Sequence, residues 1–176
     1  MTRELVVIDM QKVFADPGSP WATPGFPKVV QPVQNLVQAF QPHVTFTRFV
    51  APEVPTGAWR KYYDRWPFAL RPPDADLYDL VDEFAGPSLD TTTFGKWTPE
   101  LAAKVGESAL VLAGVSTDCC VLSTAVAAAD AGVEVFVAAD ACAGLTDETH
   151  EQTLAILRLY SPLIEVVTVD ELLQPS

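Results

Sequence analysis

The sequence predicts a doubly wound α/β domain, and three observations carry the prediction: short unbroken apolar runs, helical spacing between them, and enough apolar mass for a sizeable core. At 176 residues, 49% of them apolar, residues 1–176 are read as one domain with a lid. An unbroken Val/Ile-rich run implies burial on both faces, which is the pattern of a parallel strand. Parallel strands joined by right-handed crossovers put helices on both faces of the sheet, and a ligand site then falls beyond the carboxyl ends of the strands.

Leu5 to Ile8 reads as the first strand and runs directly into Asp9. Val29/Val30, Val33, Leu36/Val37 and Phe40 recur at helical spacing, and Val44 to Phe49 is the next apolar run. Ala51 to Pro73 follows neither period. Its five prolines, with Trp59, Tyr62, Tyr63 and Trp66, read as a long ordered loop or lid. Leu77, Leu80/Val81 and Phe84 have helical spacing, and Thr98-Pro99 resembles a helix start with proline at the first helical position. Ala109 to Val115 is a strand, and Ser116-Thr117-Asp118 opens a helix patterned by Val121, Thr124/Ala125 and Ala128. Val133 to Ala139, a helix over Asp147 to Tyr160 and a run from Ile164 to Val169 complete the alternation.

Eleven Lys+Arg against 23 Asp+Glu give a formal charge of −12, which repels polyanions and anionic lipid, so neither nucleic acid nor membrane is expected as a partner. Every apolar run is interrupted well short of the roughly 20 residues that span a bilayer. Three cysteines, two of them adjacent, make no disulfide framework, and MTRELVVIDMQ lacks the regions of a signal peptide. A cytoplasmic location is expected.

Several residues carry candidate chemistry. Asp9 stands where the fold puts a site, although a polar residue can end a buried strand simply as a cap. Cys120 sits in the first turn of a helix, whose dipole favours a thiolate; packing is the alternative role, and it is the reading for Cys119 and Cys142. Lys96, in TTTFGKWTPEL, would lower the pKa of a nearby thiol or else be a solvated lysine. His43 and His150 read as structural, His150 lying in a helix away from the site edge.

DMQ at 9–11, GVSTDCCV at 114–121, TAVAAADAG at 124–132 and VFVAADACAG at 135–144 together resemble the isochorismatase-like cysteine hydrolases, a family that includes nicotinamidases and N-carbamoylsarcosine amidases. The resemblance implies a three-layer αβα fold on a six-stranded, mainly parallel sheet. It also implies an Asp-Lys-Cys triad of Asp9, Lys96 and Cys120, and an oxyanion hole from the Ser116 and Cys120 N–H groups after a cis peptide bond. The family's lysine register falls on Thr91, with Lys96 five residues later, so the triad is either completed from Lys96 or incomplete. Nicotinamidases carry metal ligands after the second strand, where this chain has Phe49 and Ala51, so neither a metal nor another cofactor is expected.

Arg48, Arg60, Lys61, Arg65 and Arg71 gather five of the eleven positive charges near the lid, which suggests a clamp for a substrate carboxylate by Arg48 and Arg60, or a solvated face. Phe14, Trp21, Trp59, Tyr62 and Trp66 are candidate pocket walls. The sequence thus reads as a metal-independent hydrolase of a small amide, ureide or carbamoyl molecule, acting through a Cys120 thioester and assembled as a homodimer or homotetramer. The alternatives are a catalytically silent small-molecule-binding homologue, an ether hydrolase of the isochorismatase type, and a redox switch of the vicinal cysteines, which rarely bridge without strain.

Overall fold

Alternation along the central strands builds the molecule. In the computed structural model, which describes residues 2–174, β1 (Arg3–Ile8) lies between β2 (Val44–Phe49) and β4 (Ala109–Val115). Leu5 and Val7 of β1, with Val111, Ala113 and Val115 of β4, point to one face; Val6, Ile8, Leu110 and Leu112 point to the other. Period-two side chains therefore give two cores. After the short α1 (Lys12–Ala15), α2 (Phe26–Phe40) closes the first through Phe26, Val29, Val33 and Leu36, together with α7 (Val169–Leu173). The second is closed by Leu101 and Val105 of α4 (Pro99–Val105), the alanines of α5 (Leu122–Asp130), and Leu154 and Leu157 of α6 (Asp147–Arg158). Burying each of the larger side chains contributes about 1.5–3 kcal/mol, and this is why the apolar runs become strands covered on both sides.

With β3 (Ser88–Thr91), β5 (Val135–Ala143) and β6 (Ile164–Val167), the sheet has six strands in the order β3-β2-β1-β4-β5-β6, all paired in parallel. The order reverses between β1 and β4, so the crevice at their carboxyl ends is where such folds place a ligand. At this seam β4 approaches β1 closely. A Cβ on Gly114 (φ 114) would fall 2.1 Å from the Ile8 carbonyl oxygen, so no other residue fits.

Three local expectations change. The Leu77–Phe84 spacing is not a helix: a single 3₁₀ turn at Asp76–Tyr78 leads into extended chain, where Leu80 bridges Gln11 and the Val81 N–H donates to the Met10 carbonyl. Those tertiary bonds take the backbone groups that a helix would use. β5 starts at Val135 and runs to Ala143, four residues beyond the end of the apolar run, because a register shift between Leu112 and Gly114 lets Cys142 and Ala143 pair with Gly114 and Val115. The segment 51–73 is not wholly loop, since it contains α3 (Trp59–Arg65) and a 3₁₀ turn at Pro67–Ala69. No helix among the described residues is long and apolar enough to cross a membrane.

Candidate active site

Asp9 leaves β1 with φ at 49°, a left-handed conformation that costs a residue with a Cβ on the order of 1 kcal/mol or more, and its side chain is fully buried. The Thr47 hydroxyl donates to its Oδ1 at 2.7 Å, and the Asp9 N–H donates to the same hydroxyl at 3.3 Å. Thr47 on β2 thus fixes the carboxylate from both sides. Oδ2 lies 3.0 Å from the Lys96 ammonium but has no aligned hydrogen-bond donor among the described residues, so it keeps a free direction in which to accept a proton.

Lys96 reaches this carboxylate although it stands five residues past the family register. Its Nζ donates to Thr91 Oγ1 and to the Thr93 carbonyl, each at 2.9 Å, and its charge pairs with the Asp9 carboxylate at 3.0 Å. Thr91, at the place where the family has lysine, is an acceptor for the displaced ammonium. The fold of the loop is set from α5: the Lys96 N–H donates to Thr124 Oγ1 at 2.9 Å, and that hydroxyl donates to the Cys120 carbonyl at 2.7 Å. One buried hydroxyl therefore ties the lysine's backbone to that of the cysteine. The ammonium also lies 5.1 Å above the Phe49 ring, a cation–π contact.

Cys120 belongs to a single π-type turn, Thr117–Val121, between β4 and α5, and the Val115–Ser116 peptide that enters it is cis. The turn is anchored from α6. The Asp118 carboxylate accepts from the Leu145 N–H at 2.8 Å and the Thr149 hydroxyl at 2.6 Å, and Thr117 Oγ1 lies 2.7 Å from His150 Nδ1. His150 is thus not remote from the site edge, because the N-terminal turn of α6 packs against the turn that carries Cys120. Gly144 allows the approach, since a Cβ there would meet Asp118 Oδ2 at 2.9 Å. His43 pairs with Glu4 at 2.7 Å.

The helix-start dipole does not act alone on this thiol. Its pKa is pushed well above the usual value by a hydrogen bond with the Cys119 sulfur, by complete burial and by the Asp9 carboxylate, with only Lys96 pulling it down. The turn runs straight into α5, but burial and the neighbouring sulfur oppose that helix N-terminus, so deprotonation of Cys120 calls for a base, and Asp9 is at hand.

The proposed clamp is corrected. Arg48 is bound to Asp90, directly across on β3, by Nε to Oδ1 at 2.9 Å and by the second nitrogen to Oδ2 at 2.6 Å. The hydrogen bond to Asp90 raises the Arg48 pKa. Burial disfavours the Asp90 charge, but the hydrogen bonds from Arg48 and Ser88 outweigh it and lower the Asp90 pKa. Arg60 is exposed on α3 and donates to the Pro55 carbonyl at 3.3 Å. Phe14, Trp21, Trp59 and Trp66 do join one aromatic cluster, with Phe49, Tyr62, Phe68 and Phe94. The sequence marked Gln11 only as the end of DMQ and Phe49 only as a residue standing where nicotinamidases have a metal ligand. The Gln11 amide brackets Phe49, accepting from its N–H at 2.8 Å and donating to its carbonyl at 2.9 Å, and so sets that ring beside the lysine. Where nicotinamidases have metal ligands, Phe49 and Ala51 offer no donor atom, so no step is drawn through a metal.

The arrangement defines a class: a doubly wound αβα domain with a thiol, a carboxylate and an ammonium gathered at the carboxyl edge where its strand order reverses. The isochorismatase domain profile matches residues 4–171, and the chain belongs to that family. Among solved structures, it is similar to an isochorismatase family protein from Desulfovibrio vulgaris, with 21% identity, TM-score 0.84, and 97% of this chain and 96% of that one covered. It is likewise similar to N-carbamoylsarcosine amidase from Thermoplasma acidophilum, at 22% identity and TM-score 0.78, covering 99% and 100% of the two chains. Nicotinamidase from Bacillus subtilis matches at 22% identity and TM-score 0.75, covering 95% and 99%. No curated protein matches the sequence.

Proposed function

We propose that the chain is a metal-independent cysteine hydrolase that cleaves a C–N bond of a small amide, ureide or carbamoyl substrate. One observation carries the reading: the fully buried Asp9–Lys96 pair, 3.0 Å apart, whose charges both act on the Cys120 thiol. The Cys120 sulfur attacks the carbonyl carbon while its proton passes to Asp9. The same proton then goes to the departing nitrogen, the C–N bond breaks, and ammonia or an amine leaves a thioester. Water attacks that thioester and gives a proton to Asp9; the C–S bond breaks, Asp9 returns the proton to sulfur, and a carboxylic or carbamic acid is released. Lys96 works through its charge, stabilising the developing thiolate. The Ser116 and Cys120 N–H groups would hold the oxyanion.

The amidase among the fold relatives supports this chemistry, and a retained thiol is of no use to ether hydrolysis. An ammonia-release screen over small amides, ureides and carbamoyl acids tests the reading on wild type, Cys120→Ala and Lys96→Ala. Turnover in wild type that is lost in Cys120→Ala is expected. Turnover that survives in Cys120→Ala would remove the covalent mechanism, and wild-type rates in Lys96→Ala would remove the lysine.

A further inference from the structure

The groups that face the nucleophile from the lid side are aromatic rings. Phe49 begins the series beside the Lys96 ammonium, and Phe94 stacks on it with centroids 6.0 Å apart. Trp59 lies 5.1 Å from Phe94, and Tyr62 lies 5.7 Å from both Phe94 and Trp21. Phe94 packs against the cluster that holds Cys120 as well as the lid cluster, so the wall is continuous with the nucleophile. Tyr62 is near enough to feel charge on both adjacent cysteines, and burial, the larger effect, keeps it a neutral phenol.

Charge is accounted for along this wall. The Lys96 ammonium is committed to Asp9, Thr91 and Thr93. Arg48 is held by Asp90, Arg60 by the Pro55 carbonyl, and Arg65 lies over the outer ring of the cluster, 5.3 Å from the Trp66 centroid. A substrate carboxylate entering here would meet aromatic rings and the Asp9–Lys96 pair, which offers no net positive charge, while the lid's Lys61 and Arg71 are exposed to solvent rather than set among the rings. A cation gains nothing from the Asp9–Lys96 pair, whose charges cancel. Two polar groups of the cluster, Trp21 Nε1–H and the Tyr63 hydroxyl, are buried with no partner among the described residues, which suits neutral polar atoms rather than a charge.

From these contacts we infer that the site takes substrates whose acyl group is uncharged and apolar, with flat aryl or compact alkyl faces, and rejects amides that carry a carboxylate. The inference rests on the proposed hydrolase reading and narrows it, because a carbamoyl acid is then a poor substrate.

The test compares benzamide and isobutyramide with succinamate and N-carbamoylglycine. Ammonia release is measured with wild type, and binding is followed through tryptophan fluorescence in Cys120→Ala, which cannot turn over. The expected kcat/KM for the uncharged amides exceeds that for the carboxylates by about 100-fold or more, since an apolar pocket discriminates about 100-fold against one added polar group. The expected binding preference has the same order. Cys120-dependent turnover of succinamate or N-carbamoylglycine at rates equal to or above the uncharged amides overturns the inference and leaves the cysteine hydrolase standing. Absence of any turnover removes the hydrolase reading, and the fluorescence titration then decides the wall by itself: tighter binding of the carboxylates overturns it.

Discussion

Replacing Lys96 by methionine keeps the length and apolar stem of the side chain and deletes one charge. What is left is the Asp9 carboxylate, fully buried, with the Thr47 hydroxyl at 2.7 Å as its side-chain donor, and two oxygens, Thr91 Oγ1 and the Thr93 carbonyl, that lose a donor. Breaking a buried ion pair from one side costs about 3–5 kcal/mol, because the surviving charge is neither solvated nor paired. Against a total stability of about 5–15 kcal/mol, and a urea dependence near 2 kcal/mol per molar, the unfolding midpoint should fall by about 2 M. Asp9→Asn in the same background removes the stranded charge while keeping a partner for Thr47. The double variant should therefore be more stable than Lys96→Met alone, with a coupling energy of about 2 kcal/mol or more in the cycle. Urea unfolding followed by circular dichroism reads all four proteins. A Lys96→Met midpoint within 0.5 M of wild type, or additive effects in the double variant, would refute the claim that the relocated lysine is a structural partner of Asp9.

Other outcomes follow from single contacts. Thr124→Val keeps the shape of the side chain but strands the Lys96 N–H, worth about 1–3 kcal/mol when buried unpaired, and removes the hydroxyl's bond to the Cys120 carbonyl. Melting temperature and ammonia release should both drop, and Thr124→Ser should restore both. Burial pushes the Cys142 thiol from 9.0 up to about 12. A raised pKa contributes stability that is whole below the unfolded value and fades as pH climbs toward the folded one. Wild type should therefore lose on the order of 4 kcal/mol between pH 9 and 12, at about 1.4 kcal/mol per unit. Urea midpoints of Cys142→Ala should slope less steeply there. Tyr78, which burial pushes up to about 12, adds a slope above pH 10 to both proteins. Gly114→Ala should yield little folded protein in a solubility and circular dichroism assay, because its methyl meets the Ile8 carbonyl at 2.1 Å.

What could be read from the sequence and what could not differ in physical kind. The central strands were legible because burial on both faces leaves an unbroken Val/Ile signature, and Asp9 and Cys120 were legible because each follows such a run into the carboxyl edge. β3 was not legible from its residues: Ser88–Thr91 is an edge strand, half-exposed and without an apolar run, so only the family resemblance supplied a sixth strand. That one gap explains the misreading of Arg48, whose partner Asp90 lies on the unseen strand and turns a free cation into a cross-strand pair. It also bears on Lys96. Thr91 ends β3, and the turn after it carries Thr93 and the lysine back over the sheet edge, where Thr124, 28 residues away, pins the backbone. A fixed motif register assumes that a residue acts from its own place in the chain. Here the ammonium is the end of a flexible side chain held by two acceptors and a carboxylate, and the loop that carries it moves the lysine's place by five residues while the ammonium still meets Asp9.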